Sequence, residues 1–214
     1  MLKVMVVLAG MLALVQPAQA GERAFDLGFA RPGMMQGQFR FGAWPPGMAI
    51  YCSDDPDLPK DLGRLLFMPK QMLDLGATRC ALMAVDDKGS WHVAKRRIGG
   101  TALEMSATFA PDMQGTRRLV QLFMTAPREG YSALVRHFVA RFGPPTEDSE
   151  RMVHWISPDA EALVMHEEGD TALAMLIDTK LQESMNTKLD QLTKRTWGGG
   201  GGGRGGGGGG GGGG

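Results

Sequence analysis

The residues of this chain best suited to acid–base or metal chemistry are its four histidines. Neutral imidazole is the commonest metal ligand in proteins and the usual general base near pH 7. His154 and His166 flank residues 157–160, which predict a hairpin with Pro158 and Asp159 in its turn. In that register the two imidazoles lie on opposite faces of the hairpin, and a loop one residue longer or shorter would bring them together.

A hydrolytic or metal site would draw on His154, His166, Glu168 and Asp170. The sequence after His166 lacks the second histidine, four positions further on, that a zinc-protease helix requires. Ser132 lacks the second glycine of a nucleophile elbow. Because the sequence presents no convergent acid, base and nucleophile, we predict no catalytic residues, no metal site and no cofactor. A site formed by the four residues named above remains the alternative to this prediction.

Methionine is abundant, with 16 residues in the chain. Thioethers suit the soft Cu(I) ion, and the candidates for such a site are Met34, Met35, Met48, Met68 and Met72. Methionine also fills irregular gaps in hydrophobic cores. Several other methionines stand where core residues are expected. The sequence therefore favours packing and leaves copper binding as an alternative.

The chain has two cysteines, Cys52 and Cys80. An even number of cysteines in an exported protein indicates a disulfide bond. A bond between these positions would stabilise the fold by roughly 3.5 kcal/mol on the chain-entropy model. Neither cysteine has a second thiol two residues away, which argues against a thioredoxin-like redox site. Two buried free thiols are the alternative.

A basic segment with a nearby aromatic residue is the strongest candidate for a binding surface. Trp91 begins a predicted strand over residues 91–98, which also holds Lys95, Arg96 and Arg97. Alternation along a strand places Lys95 and Arg97 on one side and Arg96 on the other. Trp91, Lys95 and Arg97 are thus the candidates for a surface that binds an anionic envelope component. The sequence favours the other interpretation, a solvated edge strand whose charges prevent pairing.

The N-terminus has the pattern of a removable export signal. Lys3 precedes the uncharged apolar run 4–15, and Ala18 and Ala20 form a small-residue cleavage site. This run is too short to cross a hydrocarbon core, which needs about 20 apolar residues. We therefore predict a signal peptide at residues 1–20 and a soluble periplasmic chain without a membrane span, beginning at Gly21.

Charge limits the choice of partners. Removal of the signal leaves 22 Lys and Arg residues against 23 Asp and Glu residues. A nearly neutral chain has no global field that attracts nucleic acid or an anionic membrane. The sequence therefore predicts no nucleic-acid partner and favours an envelope protein or an anionic envelope polymer.

The mature chain divides into two predicted regions and a tail. Residues 21–100 predict a loop-rich β region containing Cys52 and Cys80, because Gly, Pro and Asp separate short apolar segments. Residues 198–214 are sixteen glycines and Arg204, and they predict a disordered tail because they cannot bury apolar surface. The strands predicted in the first region are 38–41, 48–52, 80–85 and 91–98.

Residues 101–197 predict a β-β-α-β-β-β-α unit. Period-two alternation over 103–109 is typical of a strand with one buried face, and 3.6-residue periodicity over 131–142 is typical of a helix. A second helix is predicted to begin at a capping box formed by Thr179 and Gln182. The predicted fold class is α+β, with an antiparallel sheet and one or two helices packed on one face.

One part of this unit resembles a known module. Tyr131, Leu134, Phe138 and Phe142 are followed by Gly143 and Pro145, and Trp155 begins the next hairpin. This pattern resembles a module of small exported α+β proteins of Gram-negative bacteria, and the resemblance covers about residues 101–185. It implies the fold and a periplasmic location, and no activity.

Together these features predict a non-enzymatic exported protein that acts as an envelope accessory or binding protein. The alternative is a periplasmic hydrolase or a copper-binding protein.

Overall fold

The computed structural model describes residues 25–59, 61–166 and 169–198. The predicted signal peptide, Glu168 and residues 199–214 of the predicted tail lie outside the described residues. No helix within the described ranges is long and apolar enough to cross a membrane.

The described residues form an α+β structure in which the sheet dominates. The elements, in chain order, are α1 (Gln36–Arg40), β1 (Met48–Cys52), α2 (Leu62–Leu65), α3 (Lys70–Asp74), β2 (Thr78–Val85), β3 (Trp91–Val93), β4 (Arg96–Ile98), β5 (Thr101–Pro111), β6 (Arg117–Pro127), a 3₁₀ turn (Arg128–Gly130), α4 (Tyr131–Phe142), β7 (Glu147–Asp148), β8 (Met152–Ile156), β9 (Ala160–His166), β10 (Thr171–Asp178) and α5 (Thr179–Gly198).

The strands form one antiparallel sheet with the order β1-β2-β5-β6-β10-β9-β8-β7. β3 pairs with the end of β2 and β4 pairs with the start of β5, so the sheet forks between these two strands. Cys80 of β2 lies opposite Ala107 of β5. The sheet is therefore continuous across residue 100, where the sequence suggested a boundary between two regions.

One face of the sheet, called the closed face here, is covered by α4 and the N-terminal segment. Leu134 and Phe138 of α4 are fully buried, as the helical periodicity predicts. The helix ends at Phe142 and is capped by Gly143, which has a φ of 85°. The Gly143 carbonyl accepts a hydrogen bond from Trp155 Nε1 at 2.9 Å, which ties the helix to β8.

The described residues cover the opposite face only at its margins. α5 places Leu181 and Met185 against Val120 and Ala110, at the end of the sheet where β10 finishes. The register between β5 and β6 shifts by one residue beside Val120, so this side chain turns toward α5. α4 and α5 therefore lie on opposite faces, whereas the sequence predicted helices on a single face.

A second cover lies near β1, on the same face as α5. Leu62 and Leu66 of the α2 segment are buried against Ala81 and Met83 of β2. Within the described ranges, no helix covers the middle of the sheet, over β6, β10, β9 and β8.

Three local predictions differ from the structure. The strand predicted at 38–41 is the helix α1, because only Phe39 is buried there and Phe41 is 82% exposed. The strand predicted at 91–98 breaks at Ala94, whose N–H donates to the Leu82 carbonyl at 2.8 Å, before β4 joins β5. The capping box predicted at Thr179 and Gln182 is replaced by Asp178, which caps α5 by accepting a hydrogen bond from the Leu181 N–H at 2.9 Å.

Candidate binding surface

The uncovered middle of the sheet carries a group of apolar side chains, called the open face here. All of them are half-buried and none belongs to the three apolar clusters within the described residues. Six of these side chains form two rows in which each residue lies directly opposite the next on the neighbouring strand: Phe123–Met175–Leu163 and Leu173–Met165–Met152. Ile177 completes the group. The open face is therefore a continuous apolar floor, which the described residues flank only at Ile177, beside α5.

Three of the seven side chains on this floor are methionines. Met152 of β8 lies directly opposite Met165 of β9. The neighbouring Arg151 carbonyl accepts a hydrogen bond from the His166 N–H at 3.0 Å, so Met152 and Met165 form a non-hydrogen-bonded pair, in which side chains approach most closely. Met175 lies diagonally across from Met165 on β10. Thioether side chains adapt their shape easily, so this floor can repack around a ligand.

An acidic wall borders the open face on the side of α5. Residues from α5, from the start of β9 and from β10 line a cleft between the helix and the sheet, and they include Glu161, Ile177, Glu183 and Asp190. The other residues that line it are the neutral polar Thr179, Gln182, Asn186 and Thr187. The cleft is therefore negatively charged, with its apolar edge toward the open face.

His154 lies beside this acidic rim. Its Nδ1 is 3.5 Å from Glu147 Oε2, and its Nε2 is 3.3 Å from Glu161 Oε2. The imidazole side chain is only 15% exposed. Each ring nitrogen of His154 therefore faces a carboxylate. His154 belongs to the polar edge of the open face.

His166 lies on the closed face. Its ring packs edge-on against Tyr131 at a centroid distance of 4.7 Å, and its Nε2 is 3.2 Å from the Glu150 carbonyl. Its Nδ1 is buried without a hydrogen-bond partner. Asp170 is exposed, and its carbonyl accepts a hydrogen bond from the Arg128 N–H at 2.9 Å.

The four-residue alternative therefore does not form one site among the described residues. The hairpin register pairs His154 with Leu163, as expected for a turn at Pro158 and Asp159, and it places the two histidines on opposite faces. Glu168 lies outside the described residues.

The predicted basic surface is divided by the break between β3 and β4. Trp91 packs edge-on against Tyr51 at 4.8 Å and lines a shallow cleft with Lys95 and Glu104. Arg97 donates a hydrogen bond to the Gly100 carbonyl at 3.1 Å. Lys95 and Arg97 both lie on the side of the sheet that carries the open face, and the carboxylate of Glu104 lines the same cleft as Lys95.

Arg96 points to the closed face, as strand alternation predicts. Its guanidinium carbon lies 4.5 Å from the ring centre of Phe29 and 5.3 Å from that of Trp44. Arg96 therefore contributes cation–π packing and not surface charge for a ligand.

The sulfurs of Cys52 and Cys80 lie 2.04 Å apart, at disulfide distance. The two residues are directly opposite each other on β1 and β2, and both are fully buried. Gln36 Nε2 lies 3.7 Å from Cys80 Sγ. The bond joins the edge strand to the sheet, and its burial favours a structural role.

A polar network surrounds this disulfide. Burial tends to raise the pKa of Asp54, but hydrogen bonds from Thr78 at 2.6 Å and from Arg117 hold the pKa below its usual value. Asp55 accepts hydrogen bonds from Arg40 at 2.5 Å and from the Cys52 N–H at 3.0 Å. Cys52, Asp54 and Asp55 lie close enough to hold a metal ion. However, the sulfur is oxidised and each carboxylate has an arginine partner, so these residues suit packing better.

The methionines proposed from the sequence as copper ligands are dispersed. Met34 and Met48 pack against the large core under α4, whereas Met68 and Met72 pack in the cluster beneath α5. Met35 is 41% exposed. The structure does not bring these five thioethers together.

No family model, curated protein or solved structure matches this chain. The surface must therefore be interpreted from its own geometry. One feature of the sequence could have indicated this surface. Residues 172–177 of β10 read Ala172-Leu173-Ala174-Met175-Leu176-Ile177, which is apolar at every position. Such a run is unusual for an antiparallel strand that buries one face, and it indicates a second apolar face.

Proposed function

We propose that this chain is an exported, non-enzymatic envelope protein that binds another protein through the open face. The observation that carries this proposal is the apolar floor formed by the two rows on β6, β10, β9 and β8. Monomeric soluble proteins rarely leave a continuous apolar patch uncovered, and such patches with a polar rim are typical of interaction sites. Glu147, Glu161 and His154 supply one side of that rim.

Export is the second part of the proposal. The small-residue cleavage site at Ala18 and Ala20 and the short apolar run before it support periplasmic delivery. A buried disulfide between Cys52 and Cys80 fits an oxidising compartment. The Trp91 and Lys95 cleft is a further contact point, suited to an anionic group on the envelope partner.

Site-specific photocross-linking in the envelope tests this function. A photoreactive phenylalanine analogue is placed at Leu163 or Met175 on the open face and, as matched controls, at Val139 on α4 and Met113 in the β5–β6 turn, both of which are exposed. Adducts of one defined mass at the open-face positions, and not at the controls, are expected. Equal yields at all four positions, or no adduct at the open face, would contradict the proposal.

Copper binding is the second candidate function, with a different set of thioethers from the one that the sequence suggested. Met152 faces Met165 on the open face and Met175 lies diagonally beside them. Thioether clusters suit Cu(I). The test is competition for Cu(I) against a chelator, with Met152→Leu/Met165→Leu as the variant and Met113→Leu as its control. Loss of Cu(I) retention only in the double variant would support copper, and failure of the wild-type protein to compete would exclude it.

A further inference from the structure

We infer that the open face receives a cationic amphipathic helix of the partner protein. This inference rests on the proposed binding function and adds the chemistry of the occupant. Three features of the described residues carry it: the dimensions of the uncovered floor, its methionine content, and the negative charge of the wall beside it.

The floor has the dimensions of one helix. It crosses four strands, from β6 to β8, which at about 4.8 Å per strand gives a width of roughly 15–19 Å. Along the strands it extends from Leu173 to Ile177, or roughly 13 Å at about 3.3 Å per residue. An α-helix with its side chains is about 10–12 Å in diameter, so a single helix of two to three turns covers this area. On the closed face, α4 already packs over β8, β9 and β10 in this manner.

The chemistry of the floor suits the apolar side of such a helix. Phe123, Leu163 and Leu173 offer a fixed apolar surface, while Met165 and Met175 adjust to the shape of the inserted side chains. Adaptable, methionine-rich surfaces are used by proteins that bind amphipathic helices of varied sequence.

The charge of the wall selects the polar side of the helix. Glu161, Glu183 and Asp190 line the cleft between α5 and the floor, and the residues that line it include no lysine or arginine. Glu147 adds a further carboxylate at the same rim, where His154 is its partner. Lysine or arginine side chains that flank the apolar stripe of a bound helix would meet these carboxylates. An acidic helix would be repelled.

A short synthetic helix tests the inference directly. The probe is a fluorescein-labelled 14-residue peptide with leucine at helical spacing and lysine elsewhere, and its controls are the same peptide with glutamate in place of lysine and a scrambled lysine peptide. Fluorescence anisotropy with the mature, disulfide-bonded protein should show binding of the amphipathic lysine helix alone. Its affinity should fall as salt rises, because the polar contacts are exposed.

Two variants distinguish the contribution of the apolar floor to peptide affinity from that of the acidic wall. Leu163→Thr/Met165→Thr keeps strand-forming residues and should lower affinity at least about tenfold, since each buried large side chain is worth more than that factor. Glu161→Gln/Glu183→Gln/Asp190→Asn should lower affinity about threefold to tenfold and flatten the salt dependence. Matched controls are Met113→Thr for the floor and Asp57→Asn/Asp87→Asn/Glu129→Gln for the wall, all at exposed positions elsewhere, and they should bind as the wild type does.

The outcomes distinguish this inference from the function on which it rests. If the floor variant loses the peptide but the wall variant does not, or if the glutamate peptide binds equally well, the cationic occupant is refuted and the open face remains a binding site. If the floor variant binds as the wild type does, both proposals fail. Binding to phosphatidylcholine vesicles that is lost in the floor variant would assign the face to lipid and overturn the helix. If the floor variant does not fold, the wall variant alone decides the charge preference.

Discussion

Replacement of Phe138 by alanine tests whether α4 organises the core of the closed face. Phe138 is fully buried near the middle of α4, and its ring centre lies 5.0 Å from that of Phe142 and 5.7 Å from that of Trp155. The substitution therefore removes both apolar area and two aromatic contacts, and it leaves a cavity between the helix and β8.

The magnitude follows from these contacts. Truncation of a buried Phe to alanine removes roughly 120 Å² of buried apolar area, so at about 25 cal/mol per Å² it costs roughly 3 kcal/mol. Loss of the two ring contacts adds about 1 kcal/mol. We expect Phe138→Ala to lower the free energy of unfolding by about 4 kcal/mol, inside the range of about 3–5 kcal/mol usual for this substitution.

Urea unfolding followed by circular dichroism measures this loss. The matched control is Val139→Ala, because Val139 is the next residue on α4 and is 40% exposed. Its effect should stay within about 0.5 kcal/mol. Similar small losses in both variants would show that α4 does not anchor the core, and the assignment of the closed face would have to be abandoned.

Three further predictions concern processing, the disulfide and pH. N-terminal sequencing of the exported protein should begin at Gly21; a chain that retains residues 1–20 would contradict the export signal. Reduction of the Cys52–Cys80 bond should lower the free energy of unfolding by about 2–4 kcal/mol. Urea midpoints that do not change with reductant would show that the bond is absent or without effect. Burial, with a contribution from the nearby Arg141, lowers the pKa of His137, so the folded state favours the neutral imidazole. Stability should therefore fall as pH drops below the unfolded value of about 6.5, and His137→Gln should reduce that fall; an identical pH profile for the variant would refute this.

The strongly periodic parts of the structure could be predicted from the sequence. The stripe of α4 and the hairpin of His154 and His166 follow from local spacing, because each buries one clear face. The α+β class follows from the same signals. The helix α1 could not be predicted in this way. Phe39 and Phe41 alternate as in a strand, but only Phe39 is buried in the core.

The open face shows why the candidate site was less accessible to sequence reasoning. Individual residues such as Met165 and Leu173 look like core positions, and only the order of the strands shows that nothing among the described residues covers them. The position of α5 was equally hidden. It depends on the register shift beside Val120, which a pattern of alternation does not encode.

The most direct test of the central claim is oxidative footprinting of the open-face methionines with and without the native partner fraction. Met152, Met165 and Met175 report on the floor, and the fully exposed Met113 is the internal reference. When the mature protein is bound to its partner in the envelope, sulfoxide formation at the three floor methionines should be at least about threefold lower than in the free protein. Sulfoxide formation at Met113 should be the same in both samples. Equal oxidation of the floor in the free and the envelope-bound protein would show that the open face is not where this protein binds.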